Sequence, residues 1–139
     1  MKRYRLKLTA KQMGVLQHAL DMYFRLGMGQ TREVGEHMID HRLPINEWCD
    51  RRDRIDSILA AARTVARPEL SPNAFHGIDS TAIDDVNRIA SDVHDVIRHH
   101  VVMENDPRGW TVAHDEPRAR SHEPLPSIET LPLDETEGE

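Results

Sequence analysis

With 139 residues and a net charge of −6, the chain has the length of one domain and can bury a core. Aromatic residues make up 4% of it, so that core must come from Leu, Ile, Val, Met and Ala. A single cysteine, Cys49, excludes an intramolecular disulfide, no apolar run approaches a membrane span, and no signal-like N-terminus is present. The expectation is a soluble protein of a reducing cytoplasm with no membrane partner.

The charge is unevenly placed. Residues 115–139 hold eight acidic and two basic residues, whereas the preceding 114 carry 16 of each sign. A neutral body argues against general nucleic-acid binding, whose affinity comes from phosphate neutralisation. The first eleven residues are basic, with Lys2, Arg3, Arg5, Lys7 and Lys11. They can pair with the acidic end, within one chain or between chains.

Residues 2–8 read as a short strand, because Tyr4, Leu6 and Leu8 alternate with Arg3, Arg5 and Lys7. Thr9-Ala-Lys-Gln12 then has the form of a capping box. Met13, Leu16, Leu20, Tyr23 and Phe24 recur at helical spacing, which predicts a first helix over about 10–26 with Gly27 at its C-terminal cap. Thr31 starts a short second helix with Val34, Met38 and Leu43 along one stripe, and Pro44 stops it. Asn46 is the expected N-cap of a third helix, about 47–66, with Trp48, Ile55, Ile58, Leu59, Ala62 and Val65 inward. A loop over 67–79 follows. Asp79 or Ser80 then caps a fourth helix, about 80–104, whose buried stripe is Ile83, Val86, Ile89, Ala90, Val93, Ile97 and Val101.

Asp106-Pro-Arg-Gly109 is a turn, and residues 110–113 are the natural partner strand for 2–8. The predicted fold is therefore mainly α: a four-helix domain over 1–114 with a small two-stranded β ribbon. Residues 115–139 follow as an extended or disordered acidic, Pro-rich arm. Leu125, Ile128, Leu131 and Leu133 punctuate that arm, so it suits a groove on a neighbouring subunit, and a homo-oligomer is expected.

Candidate sites are few. The Gly27–Thr31 turn sets Gly29, Gln30 and Thr31 where two helices meet, a backbone cradle for an anion or an amide-bearing ligand. The same residues serve as plain helix caps, the commoner use, and neither a Walker A nor a dinucleotide spacing is present. His37 and His41 have the spacing of a metal pair on one helix face, but no Glu follows the first His, and a solvated face is the simpler account. His94, Arg98, His99 and His100 cluster near the end of the fourth helix. Cations there favour a helix C-terminus, or form an anion-binding surface with helix-three arginines. The Arg51, Arg52, Arg54 and Asp50, Asp53, Asp56 face is read as solvated and ion-paired. Nothing adjacent in sequence activates Cys49. Trp48 and Trp110 are read as core or interface anchors.

Three blocks, 19–30 (Ala-Leu-Asp-Met-Tyr-Phe-Arg-Leu-Gly-Met-Gly-Gln), 73–78 (Asn-Ala-Phe-His-Gly-Ile) and 90–99 (Ala-Ser-Asp-Val-His-Asp-Val-Ile-Arg-His), together resemble a family of small, largely uncharacterised proteins of bacteriophages and prophages. The Pro107–Val112 turn and the Pro-rich end are also similar. The resemblance implies an accessory protein of the bacterial host cytoplasm that counters host defence. Within or beside its blocks fall Arg25, Gln30, Asn73, His76, Arg98 and His99, polar residues with no obvious core role. Antiparallel packing would let the first helix–helix turn and the end of the fourth helix converge on one polar pocket.

The leading expectation is a non-enzymatic protein that sequesters a small anionic, nucleotide-like ligand. Its ligand residues would be Arg25, Gly29, Gln30, Thr31, Asn73, His76, Arg98 and His99, with no catalytic residue, metal or cofactor. The alternatives are a protein-binding inhibitor or regulator of a host factor, and a metal-dependent hydrolase drawing on the nine histidines.

Overall fold

Thr9 fixes where the first helix begins. Its hydroxyl accepts from the Gln12 N–H at 3.2 Å, and the Gln12 side chain accepts from the Thr9 N–H at 2.9 Å, closing the expected capping box. In the computed structural model, which describes residues 1–133, α1 runs Ala10–Met28. Gly29 ends it at φ 80°. The Gly29 N–H donates to the Leu26 carbonyl and the Gln30 N–H to the Arg25 carbonyl, a pairing that satisfies two of the last four carbonyls of the helix. The cap is thus Gly29 and not Gly27. Gly27 lies inside α1, where the Asn87 side chain packs so closely that an added Cβ would collide with it.

The second helix, α2, is only Arg32–Glu36. It stops well before Pro44, and His37 and Met38 lie in turns that bond back to Val34 and Gly35. Thr31 contributes no side-chain cap. α3 runs Ile45–Ala66, starting directly after Pro44, so Asn46 is a helical residue and not the cap. α4 runs Asp85–Asn105, later than expected, because residues 77–83 are spent on two turns closed by Ser80 to Gly77 and Ile83 to Ser80 bonds.

Among the described residues there is no strand. Residues 1–9 carry no regular structure. Their alternation defines a face, but a face needs a partner strand. The intended partner is diverted: Val112–His114 is a 3₁₀ turn. The His114 ring locks it, with Nδ1 accepting from the Thr111 N–H at 3.0 Å and Nε2 donating to the Asp106 carbonyl at 2.7 Å. Trp110 stands 97% exposed and anchors no core.

α1 and α4 form the main packed pair and run antiparallel. Asn87, near the start of α4, donates to the Tyr23 carbonyl at 3.3 Å, and Phe24 meets the His94 ring edge-on at 5.4 Å. The buried apolar residues are Met28, Ile39, Ile83, Ala90 and Ile97. α2 packs on α3 where Gly35 admits Ile55 and Leu59.

Among the described residues α3 packs against no helix but α2, and none of its residues is buried. It is held by two arginines near its end. Arg63 donates to the carbonyls of Gly29 and Ser71 (3.4 Å each), Pro72 and Ala74 (3.0 Å). Arg67 donates to those of Gly27 (3.1 Å) and Ala82 (3.0 Å). The inward stripe expected of α3 fails at Ile58, Ala62 and Val65, which face solvent. The chain exposes 10771 Å², whereas a compact monomer of 16.0 kDa exposes about 7,400 Å².

The arm lies along α4 of its own chain. Asp92, 2% exposed, accepts from the Arg120 N–H (2.9 Å), the Ser121 N–H (3.0 Å) and the Ser121 hydroxyl (2.7 Å). Arg120 pairs with Asp79, His122 with Asp85, and Thr130 with His100 and Glu104. Leu125 and Ile128 are half-buried, and Leu131 and Leu133 are exposed. Residues 134–139 of the predicted arm lie outside the described residues.

Candidate functional site

The Schellman-type end of α1 folds the chain back so that Gln30 returns beside Arg25. Arg25 Nη1 donates to Gln30 Oε1 at 2.7 Å, and Nε donates to Asp21 Oδ2 at 2.8 Å. Glu33 lies 3.7 Å away on the other side. The guanidinium is therefore flanked by two carboxylates, which already neutralise it.

The 67–84 loop joins this end. Arg63 gathers the Gly29 carbonyl with those of residues 71, 72 and 74, and the His76 N–H donates to the Met28 carbonyl at 2.8 Å. His76 Nε2 pairs with Glu69 at 3.0 Å, and the imidazole hydrogen bond holds that carboxyl below its ordinary range. Arg88 fixes the far side of the loop through the Ile78 (3.2 Å) and Ser80 (2.5 Å) carbonyls. Thus Arg25, Gly29, Gln30 and Thr31 assemble with the loop that bears Asn73 and His76, while Asn73 itself is exposed in a turn.

Arg98 and His99 are not part of this assembly. The α1–α2 turn meets the start of α4, not its end, and eleven residues of helix put Arg98 about 16 Å further along. Arg98 Nη2 pairs with Asp95 at 3.3 Å, and its Nε is buried without a hydrogen-bond partner. His99 Nδ1 donates to the Ala113 carbonyl at 2.9 Å, holding the 3₁₀ turn.

A chain of polar side chains nevertheless links the two ends. From Arg25 it passes to Asp21, whose second oxygen lies 3.9 Å from His94 Nε2. His94 is buried, and its Nδ1 donates to Asp95 at 3.2 Å. Asp95 then meets Arg98. Burial alone would raise the Asp95 carboxyl, but the His94 hydrogen bond and the charges of Arg98, His94 and Arg120 prevail and hold it low. Asp21 and Asp95 were not among the expected site residues, and His94 was expected only in the cationic cluster near the end of the fourth helix. The only local signal was the adjacent His94-Asp95 pair, since Asp21 is distant in sequence.

The remaining candidates are plain. α2 ends before His37, so His37 and His41 do not share a helix face; His37 packs on the His18 ring at 6.2 Å. Among the described residues no three His, Cys, Asp or Glu side chains gather as a metal site. Cys49 is half-buried and free. Trp48 is stacked under Arg52, with the guanidinium 5.5 Å from its ring. An open polar hollow of about 390 Å³ lies at the start of α3, lined by Asn46, Glu47, Asp50, Arg51 and Arg54, with Arg54 and Asp50 paired at 3.2 Å. An apolar groove of about 350 Å³ runs between α1 and α4. No described helix is long and apolar enough to cross a membrane.

No family model matches the chain, and neither a curated protein nor a solved structure does.

Proposed function

We propose that the protein is a non-enzymatic binding protein that docks another protein on α3. One observation carries this reading: a 22-residue helix packs on the five-residue α2 alone and exposes apolar residues along a stripe. Ile58 is 68% and Val65 84% exposed, with Ala62 between them, an i, i+4, i+7 row on one face. Such a row is what an amphipathic helix offers to an apolar groove. The partner surface it fits is a hydrophobic groove with a mixed-charge rim that meets Arg54, Asp53 and Asp50. The resemblance to phage accessory proteins supports a host factor as that partner, occupied in order to blunt host defence.

Burying Ile58 or Val65 is worth about 1.5–3 kcal/mol each, so Ile58→Asp or Val65→Asp should weaken the complex at least about 10-fold. Affinity capture from a bacterial lysate tests this. A host protein retained by the wild type and lost by both variants supports the reading; equal recovery by all three refutes it.

A second reading retains a small anionic, nucleotide-like ligand at the α1–α2 turn. What favours it is the Arg25–Gln30 bond at 2.7 Å, which holds a guanidinium beside an amide. What weighs against it is that Asp21 and Glu33 already satisfy the charge of Arg25. Calorimetric titration with cyclic and linear nucleotides decides, with Arg25→Ala as the control that must abolish any heat seen.

A further inference from the structure

We infer that the α1–α4 face is a self-association surface, and that its occupant is the same face of a second copy of this chain. The groove between the two helices is lined by Leu20, Tyr23, Val86, Ile89, Ala90 and Val93. Tyr23 is 50% and Val86 51% exposed. The row continues along α1 to exposed Val15 and Leu26, so each helix presents an apolar stripe at helical spacing. Two helices side by side make one layer, and an apolar layer needs a second one over it.

Nothing in the described chain supplies that layer. α3 packs elsewhere, and the arm is anchored on α4 at Asp85, Asp92, His100 and Glu104, none of which lines the groove. The chain as a whole exposes roughly 3,400 Å² more than a compact monomer, an excess this face shares with residues 1–9, α3 and the arm. A standard interface takes about 800 Å² per partner. The face is also compatible with itself. No charged side chain lines the groove, so a two-fold axis would bring no like charges together there. Two antiparallel pairs meeting this way make a four-helix bundle with an isologous interface. This surface is separate from α3, so the inference does not rest on the docking proposal.

Light scattering and sedimentation equilibrium on the full chain test it. The expected mass is twice the 16.0 kDa of one chain. Val86→Glu places a charge in the middle of the face and should give the monomer mass, with the dissociation constant raised at least 100-fold on the order expected for a buried unpaired charge. Tyr23→Glu is a second variant in case the first fails to fold; retained helical circular dichroism confirms folding. Ile58→Glu on α3 should remain a dimer. A monomeric wild type across the concentration range, or dimers unaffected in both folded α1–α4 variants, overturns the inference. Loss of the dimer by Ile58→Glu instead would also overturn it and move the interface to α3.

Discussion

Replacing Asp92 by Ala should release the arm while leaving the helices folded. Asp92 is 2% exposed and accepts three hydrogen bonds, two from backbone N–H groups and one from the Ser121 hydroxyl. Bonds to a charged acceptor contribute about 1.5–3 kcal/mol each, so three sum to about 4.5–9 kcal/mol. That sum overstates the loss. Once the carboxylate is gone the arm can leave, its donors find water, and nothing is stranded. Two anchored residues also regain backbone freedom worth about 1–2 kcal/mol each. The net loss of arm docking is then about 2–5 kcal/mol, which at the low end is about a 30-fold shift toward the open arm. Amide hydrogen exchange reads this directly. Arg120 and Ser121 should lose protection by at least that factor, while α1 and the middle of α4 keep theirs. Ser121→Ala should give a smaller effect, since it removes one donor of three. Unchanged exchange at Arg120 and Ser121 in Asp92→Ala would refute the anchoring argument.

Gly27→Ala and Gly14→Ala should act in opposite directions in thermal unfolding. A Cβ on Gly27 collides with Asn87 and disturbs its bond to the Tyr23 carbonyl, a loss of about 1–2 kcal/mol after the helix-propensity gain, whereas a Cβ on Gly14 meets nothing within 4 Å and should stabilise by about 0.5–1 kcal/mol. Asp95 is held low in the folded state, so its contribution is present above the unfolded carboxylate range and is lost as pH falls through the folded value. Acid titration of stability below about pH 4 should therefore be steeper for the wild type than for Asp95→Asn. Arg63→Ala should cost about 2–3 kcal/mol and expose the 67–84 loop to proteolysis, and Lys should not rescue it, because one ammonium cannot span four carbonyls.

Local signals in this sequence were readable where their partners were local. The Thr9–Gln12 box, the start of α1 and the end of α3 just before Pro68 follow from residues a few positions apart. The Arg25–Gln30 pair was also within reach, because a helix cap folds it back. The rest depended on distant partners. Tyr4, Leu6 and Leu8 describe a face with no strand to pair with. Ile58, Ala62 and Val65 have the period of a buried stripe, but period shows which residues share a side, not what covers it. Gly27 and Gly29 are both plausible caps until Asn87, sixty residues on, claims the space over Gly27. Asp92 lies outside the apolar stripe expected of α4, and what buries it belongs to the distant arm. The expected convergence of Arg98 with Gln30 failed on direction alone: an antiparallel α4 brings its beginning, not its end, to the α1–α2 turn.

Site-specific photo-crosslinking tests the docking proposal most directly. A photoreactive residue at position 58 of the full chain, expressed in bacteria, should trap one discrete host protein. The same residue at position 64, exposed about 120° round the helix from Ile58, should trap far less, and Val65→Asp should suppress the adduct at 58. No discrete adduct at 58, or equal adducts at 58 and 64, would contradict the account.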